Sequence, residues 1–145
     1  MGKTFTYEEA QTLLPVLGAL LLKAREAAIR AQGLEEEMQA LSQRIFLSGG
    51  LHVDVSAAAR RRAEREKAMQ EARSTIEEIE QVGVTVSESE DGVLEFPTLL
   101  DGRTVLLCWK TGQDSITEWR EVEDEGSVRR AVDARFFRRE RERPN

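Results

Sequence analysis

The sequence predicts an α+β fold with a long antiparallel α-helical hairpin, then a small three- to four-stranded antiparallel β-meander, then a charged C-terminal tail. Three observations support this prediction. Apolar residues recur at alternating spacings of four and three over the first third of the chain, which is the heptad pattern of packed helices. Short apolar runs separated by Gly-containing turns follow residue 83. Residues 127–145 then hold seven arginines against three acidic residues.

The length of 145 residues fits a single domain, which we divide into a hairpin (5–82), a meander (83–123) and an Arg-rich tail (124–145). The net charge of −6 opposes non-specific phosphate binding, so nucleic acid is not an expected partner. Cys108 is the single cysteine and fits a reducing compartment. No apolar export signal or membrane-length apolar run is recognisable, so we expect a cytoplasmic protein without a membrane partner.

The first helix has an explicit start. Thr6 and Glu9 form the pattern of a capping box, in which each side chain accepts a hydrogen bond from the other residue's amide. Pro15 lies inside the helical pattern, removes one helical donor and predicts a kink. The apolar seam of this helix comprises ten positions: Leu13, Leu17, Leu20, Ala24, Ala27, Ala31, Leu34, Met38, Leu41 and Ile45. These positions predict coiled-coil packing.

The second helix follows a break at Ser48-Gly49-Gly50 and extends to Gly83. Its stripe of 3/4 spacing includes Ile79, Ile76, Ala72 and Met69, and then meets Arg65, Arg62 and Ala58. An arginine-interrupted and shorter helix cannot cover the whole apolar seam, so we predict a homodimer formed through the hairpin. The predicted interface residues are Leu20, Ala24, Ala27, Ala31, Leu34, Met38 and, from the sheet, Trp119.

Four strand segments are recognisable: an alternating run over 82–86, a run over 93–96 that ends at Pro97, a run over 103–110 and a run over 116–122. The short turns predict antiparallel neighbours. Pairing Phe96 with Arg103, and Lys110 with Ser115, gives a definite register. The third strand contains five consecutive apolar residues, 105–109, so both of its faces need cover.

In that register, Glu95 and Glu121 share one face of the sheet, roughly 10 Å apart at their Cβ atoms. This spacing fits a pair of acid/base carboxylates, and they are the candidate catalytic residues. Arg103, Arg120 and Arg129 are the candidate ligand-binding residues. Carboxylates that are solvated or paired with arginine are the more common interpretation, and a register slip of one residue removes the arrangement.

Metal and cofactor motifs are not found in the sequence. The one histidine, His52, and the one cysteine lie far apart without ligand spacing, which opposes a zinc site. Ser48-Gly49-Gly50 lacks the Lys-Ser/Thr of a phosphate-binding loop. We therefore predict neither a metal nor a cofactor.

Several motifs match a known family in order and spacing. They are FTYEEA (5–10), LLP (13–15), GVLEFP (92–97), LDGR (100–103), LCW (107–109) and WREV (119–122). The chain resembles the uncharacterised prokaryotic domain-of-unknown-function family 2203. In that family an aspartate is usual at the position of Glu95 and a histidine at the position of Arg120, whereas Arg129 is retained. The resemblance implies an architecture and a cytoplasmic location, and these two departures weaken a metal or acid/base role.

Two functions follow from these observations. The first is a non-enzymatic interaction or structural module that self-associates through its helical hairpin. The second is a small enzyme, or a ligand- or metal-binding protein, that uses the sheet face around Glu95, Arg103, Arg120 and Glu121. The residues favour the first function and leave catalysis open.

Overall fold

A computed structural model describes residues 3–47, 55–87, 90–124 and 128–137. The elements are α1 (Tyr7–Leu47), α2 (Val55–Val82), β1 (Thr85–Val86), β2 (Val93–Leu100), β3 (Arg103–Lys110), β4 (Glu118–Glu121) and β5 (Arg130–Ala131). The predicted α+β class is confirmed. Neither helix has an apolar stretch long enough to cross a bilayer within the described residues.

The chain forms two compact units. The sheet unit comprises Met1–Leu22 and Ile76–Asn145, and the hairpin unit comprises Lys23–Thr75. Each unit contains part of α1 and part of α2. The single-domain organisation therefore stays a prediction. The predicted break at 48–50, His52 and the tail beyond residue 137 lie outside the described residues.

The start of α1 is fixed by the predicted capping box. The Thr6 amide donates to Glu9 Oε1 at 2.8 Å, and the Glu9 amide donates to Thr6 Oγ1 at 3.1 Å. The helix continues through Pro15 as one element, and the kink at that residue stays a prediction. This end of α1 packs on the sheet, where a Cβ atom at Gly18 would lie 3.1 Å from the Trp109 ring. Glycine therefore permits a close approach of helix and strand.

The sheet is an antiparallel meander in the order β1-β2-β3-β4-β5. Its helix-facing side forms the core of the unit. The buried side chains there come from β2 (Leu94, Phe96, Leu100), β3 (Val105, Leu107, Trp109), β4 (Trp119) and α1 (Leu14, Leu17, Leu21). The start of α1 therefore covers one face of the apolar run 105–109.

The prediction that the second strand ends at Pro97 is wrong. β2 continues to Leu100 and joins β3 through a two-residue turn, Asp101-Gly102, in which both residues have positive φ angles of 51° and 82°. Phe96 therefore pairs with Leu107, not with Arg103 as predicted. Pro97 is tolerated because it lies beyond the two-residue β1, where no neighbouring strand needs its missing amide. Its carbonyl instead accepts from the Phe5 amide at 2.8 Å.

Residues 128–137 of the Arg-rich tail belong to the sheet unit. They contribute β5, which the sequence did not predict, and a helical turn at 134–137. Phe136 is buried against Trp119, with 5.5 Å between ring centroids. The indole nitrogen of Trp119 donates to the Ala131 carbonyl at 3.1 Å. The tail thus covers Trp119 on the same side of the sheet as α1.

Within the hairpin unit, the two helices pack antiparallel, as predicted. Ion pairs link Arg30 to Glu71, Arg65 to Glu35 and Arg61 to Glu37. The predicted stripe on α2 is partly wrong, because Ala68 and Arg61 face α1 in place of Met69 and Arg62. Met69 is 39% exposed, whereas Ala68 is buried. The buried alanines of α1 (Ala24, Ala27 and Ala31) leave room only for small side chains on the opposing helix.

Candidate functional site

The strand register decides which candidate residues meet. β3 pairs with β4 such that Val105 lies opposite Glu121 and Cys108 opposite Glu118. This differs by one residue from the predicted register, and a shift of one residue moves every side chain of a strand to the other face. Glu95 and Glu121 therefore lie on opposite faces of the sheet, and the predicted carboxylate pair does not form.

The face turned away from α1, which we call the outer face, carries a buried ion pair. Glu95, which is only 5% exposed, accepts from Arg120 twice: Nε to Oε2 at 2.6 Å and Nη2 to Oε1 at 3.2 Å. Arg120 Nη1 also donates to the carbonyls of Glu121, Val122 and Asp124. The hydrogen bonds to Glu95 raise the pKa of Arg120. The guanidinium thus fixes the turn after β4 to the centre of the sheet.

A second charged group lies beside this pair. Arg129 Nη2 contacts Glu90 Oε2 at 3.1 Å, and Lys110 Nζ contacts Glu90 Oε1 at 3.5 Å. A pocket of about 140 Å³ is lined by Glu90, Lys110 and Arg129, among other residues. Two cations and two carboxylates, those of Glu90 and Glu118, line the pocket. Its charge is balanced and its volume is well below the range of small-molecule sites, roughly 300 Å³ or more.

The opposite face carries the other candidates. Arg103 binds Glu121 through two parallel hydrogen bonds, Nε to Oε1 and Nη2 to Oε2, both 2.9 Å long. The hydrogen bonds from Arg103 hold the pKa of Glu121 below its usual value. Both side chains are partly exposed at the end of the sheet. The five candidate residues therefore form three separate ion pairs, and Glu90, the partner of Arg129, was not found from the sequence.

Acid/base chemistry finds little support in this arrangement. A general acid or base needs a carboxyl group able to exchange a proton with a substrate, whereas Glu95 and Glu121 each hold an arginine in bidentate geometry. Among the described residues, no group of three or more His, Cys, Asp or Glu side chains is placed to hold a metal ion.

A family model described as an uncharacterised conserved protein family, domain-of-unknown-function family 2203, matches residues 3–132. The chain belongs to this family. The match covers the capping box, both helices and all five strands, and it ends within the Arg-rich tail. No curated protein and no solved structure matches the chain.

Two motif positions of this member of family 2203 lie in the buried ion pair. Glu95 and Arg120 stand where the resemblance implies an aspartate and a histidine. The structure places these two residues in direct contact, at 2.6 Å. The retained Arg129 lies on the same face and contacts Glu90. In this chain, Glu95 and Arg120 thus form an ion pair that links β2 to the turn after β4.

The predicted interface residues separate into a buried group and a half-buried group. Ala24, Ala27 and Ala31 are buried by the chain itself, as is Trp119, which is 3% exposed. Leu20 packs at the edge of the core of the sheet unit. Leu34 and Met38 remain half-buried.

Cys108 lies in the outer face between the ion pairs, and burial raises the pKa of its thiol from 9.0 to about 12. This shift lowers the thiolate fraction at neutral pH by about a thousandfold, and the thiolate is the reactive form. We expect Ellman's reagent to label native Cys108 at least about 100 times more slowly than the urea-unfolded chain.

The matched control is an Ala40→Cys variant in a Cys108→Ala background, since Ala40 is exposed on α1. This variant should react at nearly the same rate whether it is folded or unfolded. Native labelling of Cys108 as fast as that of the control thiol would contradict the prediction and make Cys108 a possible nucleophile.

Proposed function

We propose that this protein is a non-enzymatic interaction module that forms a homodimer through its helical hairpin, in the reducing cytoplasm. The supporting observation is that α2 covers the apolar seam incompletely over residues 34–45 of α1. Leu34, Met38, Leu41 and Ile45 of α1 are each half-buried. The facing part of α2, residues 56–68, contains no apolar side chain larger than alanine.

The ion pairs align these two segments. Arg65 with Glu35, and Arg61 with Glu37, place the alanine- and arginine-rich part of α2 opposite Leu34 and Met38 of α1. Alanine covers too little surface to bury a leucine or isoleucine, and arginine covers one only with its stem. At the end of α1, Phe46 is 84% exposed. When a partner covers apolar surface that is otherwise in water, the burial favours association by about 25 cal/mol per Å².

The alternative, a small enzyme or a ligand- or metal-binding protein around Glu95, Arg103, Arg120 and Glu121, has less support. These four residues form two ion pairs on opposite faces of the sheet. A ligand would have to displace one of the pairs, and the pocket beside Cys108 on the outer face is small and balanced in charge.

Light scattering coupled to size exclusion tests the proposal. We expect the wild type to have the mass of two chains at micromolar concentration. Leu41→Glu should give the mass of one chain, because the substitution places a charge in the half-buried seam. The matched control is Ala40→Glu, which adds the same charge at the neighbouring exposed position and should leave the mass unchanged.

Two results would contradict the proposal. One is a wild type with the mass of a single chain across the micromolar range. The other is an equal loss of mass in the Leu41→Glu and Ala40→Glu variants, which would indicate a general effect of charge. Circular dichroism of each variant confirms that the helices remain folded.

A further inference from the structure

The hairpin unit has a groove of about 600 Å³ between its helices. The groove is lined on the α1 side by Arg30, Gly33, Leu34 and Glu37, and on the α2 side by Glu64, Lys67, Ala68 and Glu71. The four α1 residues follow the spacing i, i+3, i+4, i+7, so they form one stripe along the helix. The stripe has small and apolar residues at its centre and opposite charges at its two ends.

Gly33 is the unusual residue in this stripe. Glycine in a helix interior is less favourable than alanine, and no atom of the described residues lies within 4 Å of a Cβ atom built at Gly33. The part of the chain that the structure describes therefore gives no packing reason for glycine here. A missing side chain does permit the backbone of another helix to approach closely.

The stripe is complementary to the same stripe on a second copy of α1 that runs in the opposite direction. If a second α1 lies antiparallel, with the two-fold axis between Gly33 and Leu34, then Leu34 of each copy faces the open space over Gly33 of the other. Arg30 of each copy then faces Glu37 of the other. Both charges are accessible for this contact: the side chains of Arg30 and Glu37 are 56% and 61% exposed while they pair with Glu71 and Arg61.

We propose that a second copy of this chain docks on the groove with its α1 antiparallel, through reciprocal Gly33–Leu34 and Arg30–Glu37 contacts. Such an interface is isologous, because each copy uses the same patch. This inference rests on the proposed homodimer and deepens it by naming the surface and the register. The half-buried Leu34 links this stripe with the apolar seam.

The first test fills the groove. Gly33→Leu places a side chain where the single chain has open space and replaces glycine by a good helix former. We expect the isolated chain to be at least as stable to heat as the wild type. In sedimentation velocity, the dissociation constant of the dimer should rise at least about tenfold, because two leucines would occupy the space of one. Ala40→Leu is the matched control and should associate as the wild type does.

The second test exchanges charges. Arg30→Glu places like charges opposite Glu37 of the second copy, and Glu37→Arg does so opposite Arg30, so each single variant should weaken the dimer several-fold. The double variant restores opposite charges between copies and should recover association. Within each chain, however, its new carboxylate lies beside Glu71 and its new guanidinium beside Arg61, so the thermal stability of the chain should not recover. Recovery of association without recovery of thermal stability is specific to the contact between copies.

The outcomes separate the two proposals. A dimeric wild type whose Gly33→Leu variant dimerises unchanged, or whose charge exchange brings no recovery, overturns this docking mode and leaves self-association through another part of the hairpin. A monomeric wild type overturns both. If Gly33→Leu does not fold, the charge exchange decides the docking mode by itself.

Discussion

Replacing Glu95 by glutamine is expected to lower the free energy of unfolding by about 3–5 kcal/mol. Glutamine keeps the shape of the side chain and removes the charge that Arg120 contacts at 2.6 Å. Without the carboxylate, Arg120 keeps its carbonyl acceptors but loses its counter-ion in a site that is largely shielded from water, which is more destabilising than losing an exposed pair. Urea unfolding followed by tryptophan fluorescence measures the effect, since Trp109 and Trp119 both lie in the sheet unit.

The control is Glu121→Gln, the same substitution in a second bidentate Arg–Glu pair. Arg103 and Glu121 have side chains that are 48% and 28% exposed, compared with 17% and 7% for Arg120 and Glu95. Water solvates the arginine that remains, so we expect a much smaller loss than for Glu95→Gln. Equal losses in the two variants would contradict the structural role of the buried pair.

A double substitution separates the charge from the packing. Glu95→Leu with Arg120→Met removes both ions, and replacing a buried pair by apolar residues is often close to neutral. Here the double variant should remain less stable than the wild type and more stable than Glu95→Gln. Arg120 also donates to three carbonyls of the turn after β4, and methionine cannot satisfy them.

The helices could be predicted from the sequence because their signals are local. The capping box needs only residues 6 and 9, and the apolar seam repeats along a single element. All ten predicted seam positions are buried or half-buried. The opposing stripe on α2 was less predictable, because Ala68 and Met69 both fit the helical period. The choice between them depends on the space left by the alanines of α1, which is a property of the packed pair.

Strand register was not predictable in the same way. Pro97 looked like the end of a strand because proline breaks a ladder, yet it lies where β2 has no neighbour that needs its amide. The loop after β3 is closed by local bonds: the Gln113 amide donates to the Lys110 carbonyl, and the Lys110 amide donates to Gln113 Oε1. These bonds extend the connection, so that Leu107 pairs with Trp119. Such side-chain hydrogen bonds cannot be predicted from a pattern of apolar residues.

The error in register explains the error in the site. The residue types around the outer face were identified, but their partners were not, because partners depend on faces and a slip of one residue exchanges the faces. Glu90 was missed for a related reason. It lies in the turn before β2, where acidic residues are common, and only the fold brings it to Arg129 and Lys110.

Replacing Phe96 by alanine is expected to lower the free energy of unfolding by about 3–5 kcal/mol. Phe96 is fully buried at the centre of β2, and its ring meets Phe5 edge to face at a centroid distance of 6.0 Å. Alanine would leave a cavity between the sheet and the segment before α1, and a close-packed core relaxes only partly into such a cavity. Since a domain of this kind is stable by only about 5–15 kcal/mol, the loss is a large fraction of the total.

Phe137→Ala is the matched control, because it removes the same ring from a position that is 41% exposed. There the ring contacts Tyr7, with 4.8 Å between ring centroids. Aromatic pairs contribute about 0.5–1.5 kcal/mol beyond burial, so the control should lose no more than about 2 kcal/mol. A small loss for Phe96→Ala would mean that α1 closes onto the sheet when the ring is removed. A large loss means that β2 sets the spacing between helix and sheet. The second result follows from the close contact of Gly18 with Trp109, which leaves the helix little room to move inward.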